Sequence, residues 1–162
     1  MKKRIFIIGL CISSVLSVCS GCTIENGDGN KGYSTQNGLT AYEYSNMLGQ
    51  EVNTILNQLT TRMSLGKLVA DGTVSGKSES ENTDFSIQVV KDCINEIKLL
   101  NPSTNAKNDS EEVIRLSEAT LDALYEYKDS VEKENAEKIR ENISILQSYF
   151  ISLTATTNVV YQ

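Results

Sequence analysis

The chain has 162 residues, of which 15 are Lys or Arg, 21 are Asp or Glu and none is His, so its net charge at pH 7 is −6. This acidic balance disfavours a nucleic-acid-binding protein, because such binding requires clustered positive charge. The absence of His removes the usual general base and the commonest metal ligand, which disfavours most hydrolases and many metalloenzymes. We therefore expect no catalytic residue, no cofactor and no bound metal.

The first 21 residues have the composition of an export signal. A basic block at residues 2–4 precedes an apolar or small run at residues 5–18, and Ser20 and Gly21 follow. A charged start, a short apolar centre and a small-residue exit are typical of a signal peptide. The apolar run is shorter than the roughly 20 residues that a membrane-spanning helix needs. The sequence therefore predicts that residues 1–21 direct export and are then removed.

The exit of this segment, Ser20-Gly21-Cys22, resembles the lipobox of bacterial lipoproteins, in which a small residue precedes a cysteine. Cys19 stands where that family usually has Leu. The resemblance implies that the signal is cut before Cys22 and that the Cys22 thiol carries a diacylglycerol. It also implies attachment to the extracytoplasmic face of the cell membrane. A metal site at Cys19 and Cys22 would need further ligands, and the chain has no second cysteine pair and no His.

A linker rich in Gly and Asn is predicted at residues 22–39. Its composition cannot bury enough apolar surface to order the segment. By the rule for flexible chains, its reach is roughly 20–25 Å, which lifts the rest of the chain off the lipid headgroups. Residues 40–162 are predicted to form one helical bundle domain, since their number suits a single hydrophobic core.

The first amphipathic helix of this domain is predicted to begin at Thr40, which forms a capping box with Glu43. The helix is expected to end near Gly66, or at Gly72 if the apolar residues between them belong to it. A Gly- and Ser-rich loop is predicted at residues 72–82. The apolar positions of the helix recur every three or four residues at Tyr44, Leu48, Val52, Ile55, Leu59 and Met63.

The second helix is predicted to begin at Thr83 or Asp84 and to end before Pro102, because proline cannot continue the hydrogen-bond ladder. Cys93 lies on its apolar face, so we interpret this thiol as a small buried hydrophobic group. Two alternatives for Cys93 are a nucleophile, for which the chain has no His as base, and a disulfide to a partner protein. The apolar positions of this helix are Ile87, Val90, Cys93, Ile94, Ile97 and Leu100.

Two further helices are predicted in the remainder of the chain. The third is expected to start at residues 108–110, where Asn, Asp and Ser each offer a cap. A step of five residues then interrupts the apolar spacing, so we predict a break at residues 133–135 with Asn135 as the next cap. The alternative, one helix over residues 109–157, would be roughly 70 Å long. The predicted apolar positions are Val113, Leu116 (or Ser117), Leu121, Leu124, Tyr127 (or Lys128) and Val131, then Ala136, Ile139, Ile143, Leu146, Phe150 and Leu153.

Four amphipathic segments with mostly short connections predict an all-α fold, an antiparallel helical bundle of four helices. Each helix alone would be marginal in water, so the pairing of apolar faces has to supply most of the stability. A long tethered coiled-coil hairpin is the alternative architecture. No segment alternates apolar and polar residues for long enough to predict a β-strand as clearly as the apolar spacing predicts helices.

An acidic row on the third helix is the candidate interaction surface. The row consists of Glu118, Asp122, Glu126 and Asp129, spaced four, four and three residues apart. This spacing places the carboxylates on one face of a helix. The functional interpretation is a cation site or a docking surface for a basic partner. The simpler interpretation is a solvated helix face that nearby basic residues partly balance.

These features together predict a lipid-anchored, non-enzymatic lipoprotein that acts as a protein-interaction or accessory module. Its expected partners are the membrane, through the diacylglyceryl anchor on Cys22, and a protein whose identity the sequence does not indicate, but no nucleic acid. The alternative is a lipoprotein that binds a small ligand inside the bundle, which would require a sizeable apolar cavity with a few polar groups.

Overall fold

The computed structural model describes residues 39–100 and 107–160 of the chain. The predicted signal peptide, the lipidation site at Cys22 and the linker up to residue 38 lie outside the described residues. The described part contains four α-helices and no strand, which confirms the predicted all-α fold. The helices are α1 at Ala41–Ala70, α2 at Gly76–Leu99, α3 at Lys107–Glu132 and α4 at Ala136–Val160.

The helices pack as an antiparallel bundle in which each helix lies beside two neighbours. Helices α1 and α3 each pack against both α2 and α4, and α1 also meets α3 across the bundle. The connections at residues 71–75 and 133–135 are short, which makes the helices they join antiparallel. An ion pair of 3.2 Å between Asp71 and Arg140 places both connections at one end of the bundle. The start of α1 and the end of α4 therefore lie at the other end.

Two predicted helix caps are present in the structure. The Thr40 hydroxyl accepts a hydrogen bond from the Glu43 N–H at 3.2 Å, and the Glu43 carboxylate accepts one from the Thr40 N–H at 2.8 Å. Asn135 Oδ1 accepts from the Lys138 N–H at 3.1 Å, so Asn135 caps α4. These contacts confirm the capping box and the break between α3 and α4. Glu134, inside the break, has a φ of +50°, a left-handed conformation that cannot continue the α-helix.

Helix α1 ends at the second of the two predicted positions. Gly72 has a φ of +72°, a left-handed conformation that glycine adopts without steric cost. Its N–H donates to Val69 O at 2.9 Å, and the Thr73 N–H donates to Leu68 O at 2.7 Å. These are the two hydrogen bonds of a Schellman motif. The helix therefore ends before Gly72, and the earlier predicted end near Gly66 is wrong.

The start of α2 differs from the prediction. Residues 76–82 are helical, although their Gly- and Ser-rich composition predicts that the loop continues to residue 82. Ser75 is the N-cap, but its side chain makes no capping hydrogen bond. Instead, Glu134 Oε1 accepts a hydrogen bond from the Gly76 N–H at 2.9 Å. That acceptor belongs to the connection between α3 and α4, so no local pattern predicts it. Helix α3 also begins earlier than expected, at Lys107.

The core consists largely of the predicted apolar stripes, whose burial contributes about 25 cal/mol per Å² of apolar surface. Cys93 is 4% exposed, which confirms its predicted burial, and this burial raises the pKa of the thiol to about 12. Ser117 and Thr120 are buried beside the α3 stripe. The predicted positions that are only partly buried are Met63, Leu100, Leu121, Ala136 and Phe150.

Candidate functional site

The acidic row lies on the exposed face of α3, and its outer members have partners within the chain. Glu118 Oε1 lies 2.7 Å from Lys98 Nζ. Asp129 Oδ2 lies 2.7 Å from Lys133 Nζ. These side chains are about half exposed or more, so each ion pair contributes little to stability. The pairs do neutralise the two ends of the predicted row.

The inner members of the row, Asp122 and Glu126, make no ion pair within the described part of the chain. Both line a groove between α3 and α4 that has a volume of about 450 Å³. The groove is lined by Ala119, Asp122, Ala123, Tyr125 and Glu126 of α3 and by Lys138, Asn142, Ile145 and Tyr149 of α4. The structure therefore brings half of the predicted row into one concave site and leaves the other half outside it.

The walls of this α3–α4 groove combine apolar and polar side chains. On α3, the small side chains of Ala119 and Ala123 leave space beside the larger Ile145 and Tyr149 on α4. Tyr125 is 43% exposed and Ile145 is 39% exposed. An exposed apolar surface with a polar rim is typical of an interaction site. The sequence indicates the carboxylates of this site but not its α4 wall, because the two helices meet only in the folded protein.

Asn142 is the most buried side chain of the groove, with only 2% of its surface exposed. Its Nδ2 donates a hydrogen bond to the backbone oxygen of Glu126 at 3.1 Å, which ties α4 to α3. None of the hydrogen bonds among the described residues ends on the Oδ1 of Asn142. This oxygen is therefore an acceptor that a bound group can use.

Two lysines lie at the groove: Lys138 lines it, and Lys91 contacts one of its lining residues. Lys138 Nζ lies 2.9 Å from Glu141 Oε2, and this hydrogen bond raises the pKa of Lys138. Lys91 of α2 lies with its Nζ 5.4 Å from the centroid of the Tyr125 ring. That distance falls within the range of a cation–π contact. The charge of Lys138 is thus directed mainly to Glu141 and more weakly to Glu126, and the ring of Tyr125 already attracts a cation.

A second cluster lies inside the bundle and joins three helices. Arg62 of α1, Glu79 of α2 and Tyr127 of α3 form this buried polar cluster, and each is at most 5% exposed. Arg62 Nη1 donates to Glu79 Oε2 at 3.0 Å. The Tyr127 hydroxyl lies 2.8 Å from both Glu79 Oε1 and the backbone oxygen of Arg62. Burial raises the pKa of Glu79, and burial beside that carboxyl also raises the pKa of Tyr127.

The two charged members of this cluster, Arg62 and Glu79, were not predicted from the sequence. Arg62 follows Leu59 by three residues, and Glu79 precedes the buried Thr83 by four, so helical spacing is the only signal that indicates their burial. Charged side chains are rarely buried unless paired, which makes that signal weak. The partners are 17 and 48 residues apart in sequence, so only the tertiary structure brings them together.

The buried polar cluster is suited to fixing the packing of α1, α2 and α3, because its groups mostly satisfy one another. Within it, Arg62 Nε is buried without a hydrogen-bond partner. Across residues 39–100 and 107–160, no group of three or more His, Cys, Asp or Glu side chains is arranged to hold a metal ion. None of the described helices is both long and apolar enough to cross a membrane.

The comparisons with known proteins return no match, whether to a family model, to a curated protein or to a solved structure. The α3–α4 groove is the candidate functional site, because it combines a concave, partly apolar surface with two members of the predicted acidic row.

Proposed function

We propose that the protein is a lipoprotein of the extracytoplasmic membrane face that acts as a non-enzymatic protein-interaction module. The observation that carries this proposal is the α3–α4 groove, a concave and partly apolar surface with two carboxylates that lack ion-pair partners in the described chain. Binding sites for other proteins commonly have an apolar centre and a polar rim.

Attachment through Cys22 would orient the bundle relative to the membrane. Helix α1 begins at Ala41, 19 residues after Cys22 and at the end of the bundle opposite the two short connections. A diacylglyceryl group on Cys22 would hold that end nearest the membrane. The α3–α4 groove runs along the side of the bundle, where a partner in the same membrane or envelope layer can reach it.

The interior of the bundle supports ligand binding less well than the groove does. The buried polar groups of Arg62, Glu79 and Tyr127 hydrogen-bond mainly to one another, so they offer few contacts to a ligand. Two further concave sites of the described residues lie on the surface between α1 and α4. We therefore favour the interaction module over the small-ligand alternative.

Mass spectrometry of the mature N-terminal peptide tests the anchor. We expect a peptide that begins at Cys22 and carries a diacylglyceryl mass on that residue. The Cys22→Ser variant should lose the modification and leave the membrane fraction. The Cys19→Ser variant is the matched control and should be processed normally. A mature chain that retains residues 1–21, or an unmodified Cys22, would contradict the proposal.

Site-specific photo-crosslinking in intact membranes tests the interaction. A photoreactive amino acid in place of Ile145 should capture a partner protein from its position in the groove. The same substitution at Phe85 on α2 is the control, since Phe85 is 68% exposed and does not line the groove. Equal capture at both positions, or no capture at Ile145, would overturn the assignment of the groove as the interaction site.

A further inference from the structure

We infer that the α3–α4 groove accepts a basic amphipathic helix of a partner protein, with aliphatic side chains in the groove and Lys or Arg side chains at Asp122 and Glu126. This inference rests on the proposed function and adds the chemical class of the partner. Its evidence is the charge on α3, the shape of the groove and the spacing of the two carboxylates.

The negative charge of the described helices is concentrated on α3. This helix carries eight Asp and Glu residues against three Lys and Arg residues, whereas α1 and α4 each have equal numbers of both signs. Lys98 and Lys133 neutralise the outer members of the acidic row. Asp122 and Glu126 form no ion pair among the described residues, and Lys133 and Lys138 attract Glu126 only at longer range, so the field at the groove favours a cationic partner.

The groove provides apolar surface directly beside these carboxylates. Ala119 and Ala123 leave room for aliphatic side chains against Ile145 and Tyr149. A volume of about 450 Å³ accommodates a few side chains rather than a folded domain. Many proteins recognise a partner helix that places its apolar face in such a groove. The side chains that enter the groove are then three, four and seven residues apart on the partner helix.

The spacing of the carboxylates matches a helical partner. Asp122 and Glu126 are four residues apart on α3, which separates them by about 6 Å along the helix axis. Lys or Arg residues three or four positions apart on a partner helix have the same separation. The Oδ1 of Asn142 adds an acceptor inside the groove that a side-chain N–H of such a partner can use.

Other occupants fit the groove less well. A nucleic acid or a second copy of this acidic chain would bring like charge against α3. A metal ion would require more ligands than two carboxylates on one helix. The partner class that matches both the sign of the charge and the apolar walls is therefore a basic amphipathic segment.

Fluorescence anisotropy with two designed probes tests the inference. The first probe is a labelled 18-residue helical peptide with Leu on one face and Lys on the other; the second has Glu in place of every Lys. The protein is the mature chain from residue 22 with Cys22→Ser, so that no acyl chains recruit the peptide. We expect the Lys peptide to bind about tenfold more tightly than the Glu peptide, with affinity falling as salt increases.

Matched double variants locate the binding site. Asp122→Asn with Glu126→Gln should weaken binding of the Lys peptide about tenfold, since both charged contacts are lost. Glu118→Gln with Asp129→Asn removes the same charge from the same helix outside the groove and should change the affinity less than about twofold. Ala119→Leu, which fills the groove without altering charge, should also weaken binding. Equal effects of the two double variants would mean diffuse attraction and would overturn the inference.

The crosslinking experiment separates this inference from the proposed function. Capture at Ile145 that is lost on Asp122→Asn with Glu126→Gln supports both. Capture that persists in this variant shows that the groove binds a partner whose recognition does not depend on basic residues, and only the inference of partner class is then wrong.

Discussion

The Tyr127 hydroxyl has one hydrogen but lies 2.8 Å from two acceptors, the Glu79 carboxyl and the backbone oxygen of Arg62. Both contacts become hydrogen bonds if Glu79 is protonated, because its hydroxyl then donates to Tyr127 while Tyr127 donates to the backbone. The raised pKa of Glu79 favours this arrangement. The buried polar cluster therefore binds a proton more strongly than an exposed glutamate does.

Replacing Tyr127 by Phe should destabilise the fold by about 1–3 kcal/mol, because two buried oxygens lose their hydrogen-bond partner. The free energy of unfolding from urea denaturation measures this change. Tyr125→Phe is the control, since the Tyr125 side chain is 43% exposed, and it should shift stability by less than about 0.5 kcal/mol. Similar values for the two variants would mean that the buried hydroxyl contributes no more than an exposed one.

Gly66 is required by close packing rather than by a helix end. A Cβ at this position would lie 2.6 Å from Tyr127 Oη and 2.7 Å from Tyr127 Cε2. Alanine favours helix over glycine by about 0.8–1 kcal/mol, but forcing extra volume into a packed core costs about 1–3 kcal/mol. We therefore expect Gly66→Ala to lower the free energy of unfolding, although helix propensity alone predicts an increase.

A double-mutant cycle identifies the cause of that loss. If the collision with the Tyr127 ring is responsible, Gly66→Ala should cost less in a Tyr127→Leu background than in the wild type. Thermal and urea unfolding of the wild type, the two single variants and the double variant measure the cost of Gly66→Ala in both backgrounds. An unchanged cost would assign the effect to another neighbour, such as Ile143, whose Cδ1 would lie 3.1 Å from the new Cβ.

At the scale of the elements, the start of α2 depends on the connection between α3 and α4. Glu134 caps the Gly76 N–H, and a Cβ at Gly76 would collide with the backbone oxygen of Val131. The start of α2 therefore packs so closely against the end of α3 and the Glu134 side chain that no β-carbon fits at Gly76. This contact explains why a polar segment that resembles a loop is helical from Gly76 onward.

The effect of capping should follow this geometry rather than the local sequence. Glu134→Ala should lower the free energy of unfolding by about 0.5–2 kcal/mol, as for the loss of a helix cap. Ser75→Ala, at the formal N-cap, should change it by less than about 0.5 kcal/mol, because its side chain makes no capping bond. Urea denaturation of both variants measures these free energies of unfolding. A larger decrease for Ser75→Ala than for Glu134→Ala would contradict Glu134 as the cap.

At the scale of the whole molecule, the raised pKa of Glu79 makes stability depend on pH. The folded state holds this proton more tightly than the unfolded chain, whose glutamate pKa is about 4.3. The resulting stabilisation is fully present below the unfolded pKa and is lost as pH rises through the folded pKa. Glu79→Gln removes this titration.

We therefore expect the stability of the wild type relative to Glu79→Gln to decrease as pH rises from about 4 through the folded pKa. Urea denaturation of both chains at matched pH values measures the difference. A relative stability that instead increases with pH would show that the ion pair with Arg62 lowers the pKa of Glu79 by more than burial raises it.

The sequence alone determined the all-α class, the cap at Thr40, the break capped by Asn135 and most of the buried stripes. These features depend on residues within one or two helical turns, so the local pattern contains them. It also placed Asp122 and Glu126 on one face of α3, but it did not distinguish them from Glu118 and Asp129. That distinction arises because lysines of α2 and of the loop after α3 neutralise the outer pair, while α4 forms a wall beside the inner pair.

Only the tertiary structure decided the early start of α2, the close approach at Gly66 and the buried polar cluster. In each case the deciding partner is far away in sequence: Glu134 is 58 residues from Gly76, and Tyr127 is 48 residues from Glu79. Helical periodicity indicates which side chains turn inward, but it carries no information on which inward side chains meet. A buried charge is stable only when it is paired. The partners of Arg62 and Glu79 lie on other helices, so the packing of the helices determines whether these pairs form.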